Sequence, residues 1–258
     1  MDAIFDTIRW LHITIGFTGL AAFWVPVVAR KGGRNHVRFG RIYEWAAYFV
    51  AGSAVFNGLG RLVAGLLGGA SLAGNEESFG FLLFLAYLGI VTFAGVRHGV
   101  RSVRARGDFA TLRTPFHYAL AAMCLIGSAT VIAYALLAWS GVSIILLALS
   151  PVGLGQGTQM LRQMLTPPTE RMAWYYAHMG NMIGAGIAFH TAFLVFGSNR
   201  LFSYELPGLW RIVPWILPAA IGIPANRILE SRYRAKFGEP RGRGRARGVR
   251  PIETPIRT

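Results

Sequence analysis

The chain has 258 residues, 53% of them hydrophobic and only 14% charged, where soluble globular domains carry about a quarter charged residues. That balance excludes an ordinary water-soluble fold. The net charge of +15 would suit a polyanion, but the basic residues fall mostly between or after apolar runs, the distribution that orients a membrane protein rather than one that reads nucleic acid.

Runs long enough to cross a bilayer, about 20 residues, fall at roughly 8–28, 43–69, 79–96, 116–137, 141–160, 172–197 and 209–229. They predict an all-α fold, a polytopic integral membrane bundle of seven transmembrane helices over 1–230. No polar segment between runs is long enough to build a separate soluble core. The start, MDAIFDTIRW, lacks a basic n-region and a small-residue cleavage site, and reads as uncleaved. With the N-terminus outside, 22 of the 26 Lys and Arg residues lie on the inner side, which predicts a cytoplasmic C-terminus in a bacterial inner membrane. Residues 231–258 form a basic, Gly- and Pro-interrupted tail expected to be disordered and cytoplasmic.

The first run carries His12 just inside its outer end, with Gly16 one turn later. The short inner loop that follows holds Lys31, Arg34, Arg38 and Arg41, which suit the phosphate of anionic lipid headgroups. His36 sits among these charges and reads as a poor metal ligand. In the second run, Asn57 and Arg61 are polar within apolar surroundings, and Arg61 is expected to snorkel outward or pair with Asp2, Asp6, Glu76 or Glu77. His98 ends the third run and His117 begins the fourth. Cys124, the single cysteine, lies in the fourth run and excludes an internal disulfide or a CxxC metal site.

The fifth run contains Ser150-Pro151 followed by Gly153, Gly155, Gln156 and Gly157, and is expected to kink or break in its inner half. The sixth, MAWYYAHMGNMIGAGIAFHTAFLVFG, places His178, Asn181 and His190 inside a membrane-length helix, where polar groups must face protein, a cofactor or water. Gly180, Gly184 and Ala188 form a small-residue ridge suited to helix packing.

Two functional readings follow. In the first, imidazoles hold b-type haem for electron transfer, with a quinone as a candidate partner. His12 and His190 would meet in the outer half, and His117 and His178 in the inner half near His98. Gly16 and Gly186, each four residues from its histidine, would leave flat space for the macrocycle. His178 and His190 stand roughly 120° apart around one helix, so a single outer haem is favoured over two. In the second reading, a non-enzymatic small-molecule transporter or sensor uses Asn181, Asn57, Gln156 and Arg61 as a polar cavity. A metal-dependent hydrolase built on His117, His178 and His98 stands third, short of a carboxylate other than Glu44. No catalytic residue and no metal site is assigned. A retinal protein is excluded, because Lys31 and Lys236 are the only lysines and neither lies in a span.

The segment LHITIGFTGLAAFWVPVVARKGGRNHVRFGRIY resembles a bacterial family of membrane proteins, domain of unknown function 2306, through His12, Lys31, Gly32, His36, Gly40, Arg41 and Tyr43. The His178 helix with Thr191-Ala192-Phe193, and Leu206-Pro207 with Trp215, Pro218, Gly222 and Tyr233, resemble it too. Phe116-His117-Tyr118 departs from the more basic pattern expected there. The resemblance implies the membrane topology and carries over no catalytic residue.

Overall fold

The computed structural model describes residues 2–198 and 207–239. Among them the regular structure is helical: α1 (Asp2–Val28), α2 (Arg34–Leu67), α3 (Glu76–Ala105), α4 (Pro115–Leu137), α5 (Ser143–Leu149), α6 (Pro151–Leu165), α7 (Ala173–Ala192) and α8 (Val213–Phe237). Short 3-10 turns cover Phe109–Leu112 and Gly208–Ile212, and a π-turn over Phe193–Gly197 continues α7. Six segments are long and apolar enough to cross a membrane: α1, α2, α3, α4, α5 with α6, and α7 with its π-turn. The chain is a membrane protein on that ground. Helix α8 is not among the six; Pro218 and Pro224 interrupt it and Arg227, Glu230, Arg232 and Arg234 crowd its second half.

Local chemistry explains where the helices stop. The last carbonyls of α1 have no partner within the helix, and the Lys31 ammonium takes two of them, Pro26 O at 2.8 Å and Val27 O at 2.7 Å. Burial holds that ammonium below the usual lysine range, only partly offset by the nearby Tyr233. Lys31 is therefore a helix cap. Helix α3 ends where Arg106 turns left-handed (φ 46°) ahead of Gly107 (φ 102°). Thr114 then starts α4, its hydroxyl accepting from the His117 N–H at 3.3 Å with Pro115 in the first helical position.

Helix α3 is the axis of the bundle. In its most apolar stretch 61% of residues are buried inside the protein, against 11% for α1. In a membrane, lipid tails are as apolar as leucine, so close packing and hydrogen bonds hold helices together. Backbones touch where side chains vanish: a β-carbon on Gly89 would lie 2.6 Å from the Ala51 carbonyl oxygen, and one on Gly58 2.7 Å from that of Leu82. One apolar cluster joins α3, α4, α6 and α7 around Phe84, Cys124, Met160 and Ala177; another joins α1, α2, α3 and α7 around Ala22, Tyr43, Val96 and Phe189.

The fifth span breaks at Ser150-Pro151, after seven residues of α5 and so nearer the start of the span than the inner half expected. The freed groups are closed by protein. The Tyr87 hydroxyl donates to Ser150 O at 2.7 Å and accepts from the Gly153 N–H at 2.8 Å, and Ser128 Oγ donates to Ser150 O at 2.7 Å. At the other end, α8 continues to Phe237, so residues 231–237, expected to be disordered, are helical. Arg234 anchors this turn through Glu170 and Glu230 at 3.0 and 2.8 Å, and Glu239 accepts from the Met172 N–H and the Tyr176 hydroxyl. The rest of the basic tail, from residue 240, lies outside the described residues.

Candidate functional site

The polar side chains inside the spans sort into two groups. One, toward the N-terminal end of α1 and named outer after the expected topology, lies between α1 and α2. Ser53 spends its hydroxyl hydrogen on Val50 O at 3.0 Å, so His12 Nδ1–H is the donor in the 2.8 Å His12–Ser53 bond. One turn on, Asn57 Nδ2 donates to Ser53 O at 3.1 Å. Arg61 pairs with Asp6 at 3.0 Å, one of the acids expected for it, and Asp6 also meets Arg9 at 3.5 Å.

His190 does not join this group. Its Nε2 accepts from Trp24 Nε1 at 3.1 Å and its Nδ1 bonds Gly186 O at 2.7 Å, so both ring nitrogens are engaged. Trp24 stands twelve residues after His12 on the same helix, about 18 Å of rise. An outer site shared by His12 and His190 is therefore ruled out. The reason is an offset between helices: Phe193 lies against Phe17, and Phe189 against Gly19, so His190 sits level with the middle of α1 rather than with His12. The flat space expected beside Gly186 is filled by the Phe23 ring, while Gly16 faces Val50 at 3.8 Å.

The inner group is larger and draws on α2, α3, α4, α6 and α7. His36 turns inward from its arginine-rich loop, its Nδ1 bonding Pro26 O at 3.1 Å and its ring centroid 6.4 Å from that of His178. His178 Nδ1 in turn bonds Gly99 O on α3 at 3.1 Å. The neighbour of Gly99, His98, holds Gln163 Oε1 of α6 through its Nε2 at 2.5 Å, and its ring centroid lies 6.5 Å from that of His117 on α4. Thr114, the cap of α4, also orients His117 through Nδ1 at 2.9 Å. His98 and His117 are sealed, 0% and 2% exposed, and His98 Nδ1 and His117 Nε2 are buried without a hydrogen-bond partner.

This arrangement corrects the expected pairing of His117 with His178: the partners are His98 for His117 and His36 for His178. His36, among basic residues in sequence, faces His178 in the fold while still sharing the Pro26 carbonyl with the Lys31 ammonium. Gln163 gave no signal in the sequence beyond being polar in the last turns of the fifth span.

Gln156 Nε2 donates to Asn181 Oδ1 at 3.0 Å, and Asn181 Nδ2 to Ala177 O at 2.7 Å. The two amides sit over Gly95 of α3, where a β-carbon would come within 3.8 Å of both, so they close the interface among α3, α6 and α7. Asn57 and Arg61 belong to the outer group. The single polar cavity expected from Asn181, Asn57, Gln156 and Arg61 is thereby split and its inner half is self-bonded. Arg34, Arg38 and Arg41 are exposed, as lipid contacts require.

No protein-family model, curated protein or solved structure matches this chain. The chemistry must be argued from the site. Among the described residues no three His, Cys, Asp or Glu side chains gather closely enough to hold a metal ion, so His117, His178 and His98 do not converge as a three-ligand zinc needs. What remains is imidazoles in pairs.

Proposed function

We propose that this chain is a multi-pass membrane protein that binds haem b between His98 and His117 and passes electrons within the membrane. The observation that carries the reading is a pair of buried imidazoles from two helices, each with an unpartnered nitrogen, at a centroid separation of 6.5 Å; both rings are closed over by protein, so the porphyrin enters only if α3 and α4 part around them. Two nitrogen–metal bonds of about 2.0 Å plus the two ring radii span roughly 6.4 Å. Two protein ligands are too few for a bare structural ion, but they complete a haem iron, whose other four ligands come from the porphyrin. His98 and His117 would hold the iron, and a haem held by two imidazoles would supply electron transfer rather than oxygen activation. His36 and His178, at 6.4 Å, have the separation for a second centre one residue of backbone away.

Within this proposal the topology is seven spans, α8 supplying the last, with the N-terminus outside and the C-terminus cytoplasmic in a bacterial inner membrane; the Lys and Arg asymmetry supports it. Membership of the family of domain of unknown function 2306 is part of the same reading, supported by His36, Arg41 and His178 in the matching segments.

The test is an absorption spectrum of the full chain purified after expression with a haem precursor. A Soret band that shifts on dithionite reduction is expected. His98→Ala and His117→Ala should each abolish it, while His12→Ala and His190→Ala keep it. A wild-type preparation that is folded and haem-supplied yet shows no Soret band would overturn the proposal.

A further inference from the structure

The lipid-facing groove between α1 and α2 lies apart from the histidine pairs. It is a shallow, open hollow of about 440 Å³, with Ile15 and Thr18 of α1 across from Ile42, Trp45 and Phe49 of α2. Its depth comes from Ala46, a small buried residue packed against Gly19. At one end of this apolar channel stands Arg41.

Arg41 is exposed within a helix apolar enough to cross a membrane, and among the described residues it makes no hydrogen bond or ion pair. A guanidinium just outside the apolar run, with no partner among the described residues, is free to meet an anion at the membrane surface. Arg38, one turn earlier, is exposed as well. From Arg41 to Phe49 the groove follows α2 for about 12 Å, with Trp45, 71% exposed, one turn beyond the charge, where aromatic rings sit at headgroup depth. A channel that is apolar along its length and cationic at one end fits an amphiphile with an anionic head.

We propose that the groove seats an anionic phospholipid, its acyl chain along Ile15, Ile42, Trp45 and Phe49 and its phosphate on the Arg41 guanidinium. Arginine binds phosphate through paired N–H donors, which makes Arg41 the specificity-determining contact.

Native mass spectrometry of the full chain in detergent, with phosphatidylglycerol, phosphatidylcholine or chain-free glycerol phosphate added, tests this. Wild type should retain phosphatidylglycerol over phosphatidylcholine and not retain glycerol phosphate. Arg41→Gln should weaken phosphatidylglycerol retention about fivefold, the contribution of one basic residue at an anionic surface. Thr18→Trp, which fills the groove, should lower retention of both lipids, and Arg162→Gln, exposed on α6 and outside the groove, should leave it unchanged. Arg41→Lys, which keeps the charge, gives the same reading if Arg41→Gln fails to fold: its retention should fall between wild type and full loss. Equal retention of the two lipids by wild type, unchanged retention in folded Arg41→Gln, or displacement of lipid by glycerol phosphate would each overturn the proposal.

Discussion

Tyr87→Phe removes one oxygen from the place where the fifth span breaks, and its cost can be worked from the geometry. The hydroxyl, on a side chain buried to 3% exposure, donates to Ser150 O at 2.7 Å and accepts from the Gly153 N–H at 2.8 Å. Interhelical hydrogen bonds in membranes contribute about 0.6 kcal/mol each on average, so the two bonds account for about 1.2 kcal/mol. The Gly153 N–H keeps only a 3.3 Å bond to Ser150 O, and a buried donor so poorly satisfied costs about 1–3 kcal/mol, here toward the low end. The expected loss is about 2–3 kcal/mol. Ser128→Ala, which removes the 2.7 Å bond to Ser150 O, should cost about 1 kcal/mol. Because both side chains serve the same carbonyl, the double variant should depart from additivity. Reversible unfolding in mixed detergent micelles, followed by tryptophan fluorescence, measures all three. A Tyr87→Phe loss under about 0.5 kcal/mol, or strict additivity with Ser128→Ala, would refute the account of the break as closed by these two side chains.

Gly89→Val should destabilise by about 1–3 kcal/mol or more, because its β-carbon would meet the Ala51 carbonyl oxygen at 2.6 Å and separate α2 from α3. Gly184→Ala, with nothing within 4 Å, should leave the same unfolding midpoint unchanged or raise it. Arg234→Ala should cost about 1–3 kcal/mol, since it removes ion pairs to Glu170 and Glu230 and a guanidinium 4.2 Å above the Tyr176 ring. Glu170→Gln alone, at a half-exposed carboxylate, should cost under about 1 kcal/mol. Limited proteolysis near Phe237 should report the release of α8 in Arg234→Ala before any global unfolding.

Apolar runs locate helices well, because about 20 consecutive hydrophobic residues have no other stable solution in lipid. They locate helix ends poorly. Helix α2 begins at Arg34, nine residues ahead of its apolar run, since Arg34 to Ile42 are polar enough to escape hydropathy yet free of proline. The Ser150-Pro151 break was legible from proline's missing N–H. Its closure was not, because Tyr87 lies 63 residues away from Ser150 and no local pattern joins them.

The histidines divide along the same line. That imidazoles inside spans need partners follows from the cost of a bare polar group in hydrocarbon, and all six histidines have a hydrogen bond in the structure. Which imidazole faces which depends on the offset and rotation of whole helices. Depths counted from the ends of apolar runs treat those ends as level, and that error paired His12 with His190. The offsets are set by contacts between residues distant in sequence, such as Gly89 against Ala51 and Gly99 against Asn181 and Met182, where the missing side chain lets one helix settle against another. Hydrophobic periodicity is a property of neighbours along the chain, whereas the pairing of His98 with His117 and of His36 with His178 is a property of packed surfaces, and only the tertiary structure decides it.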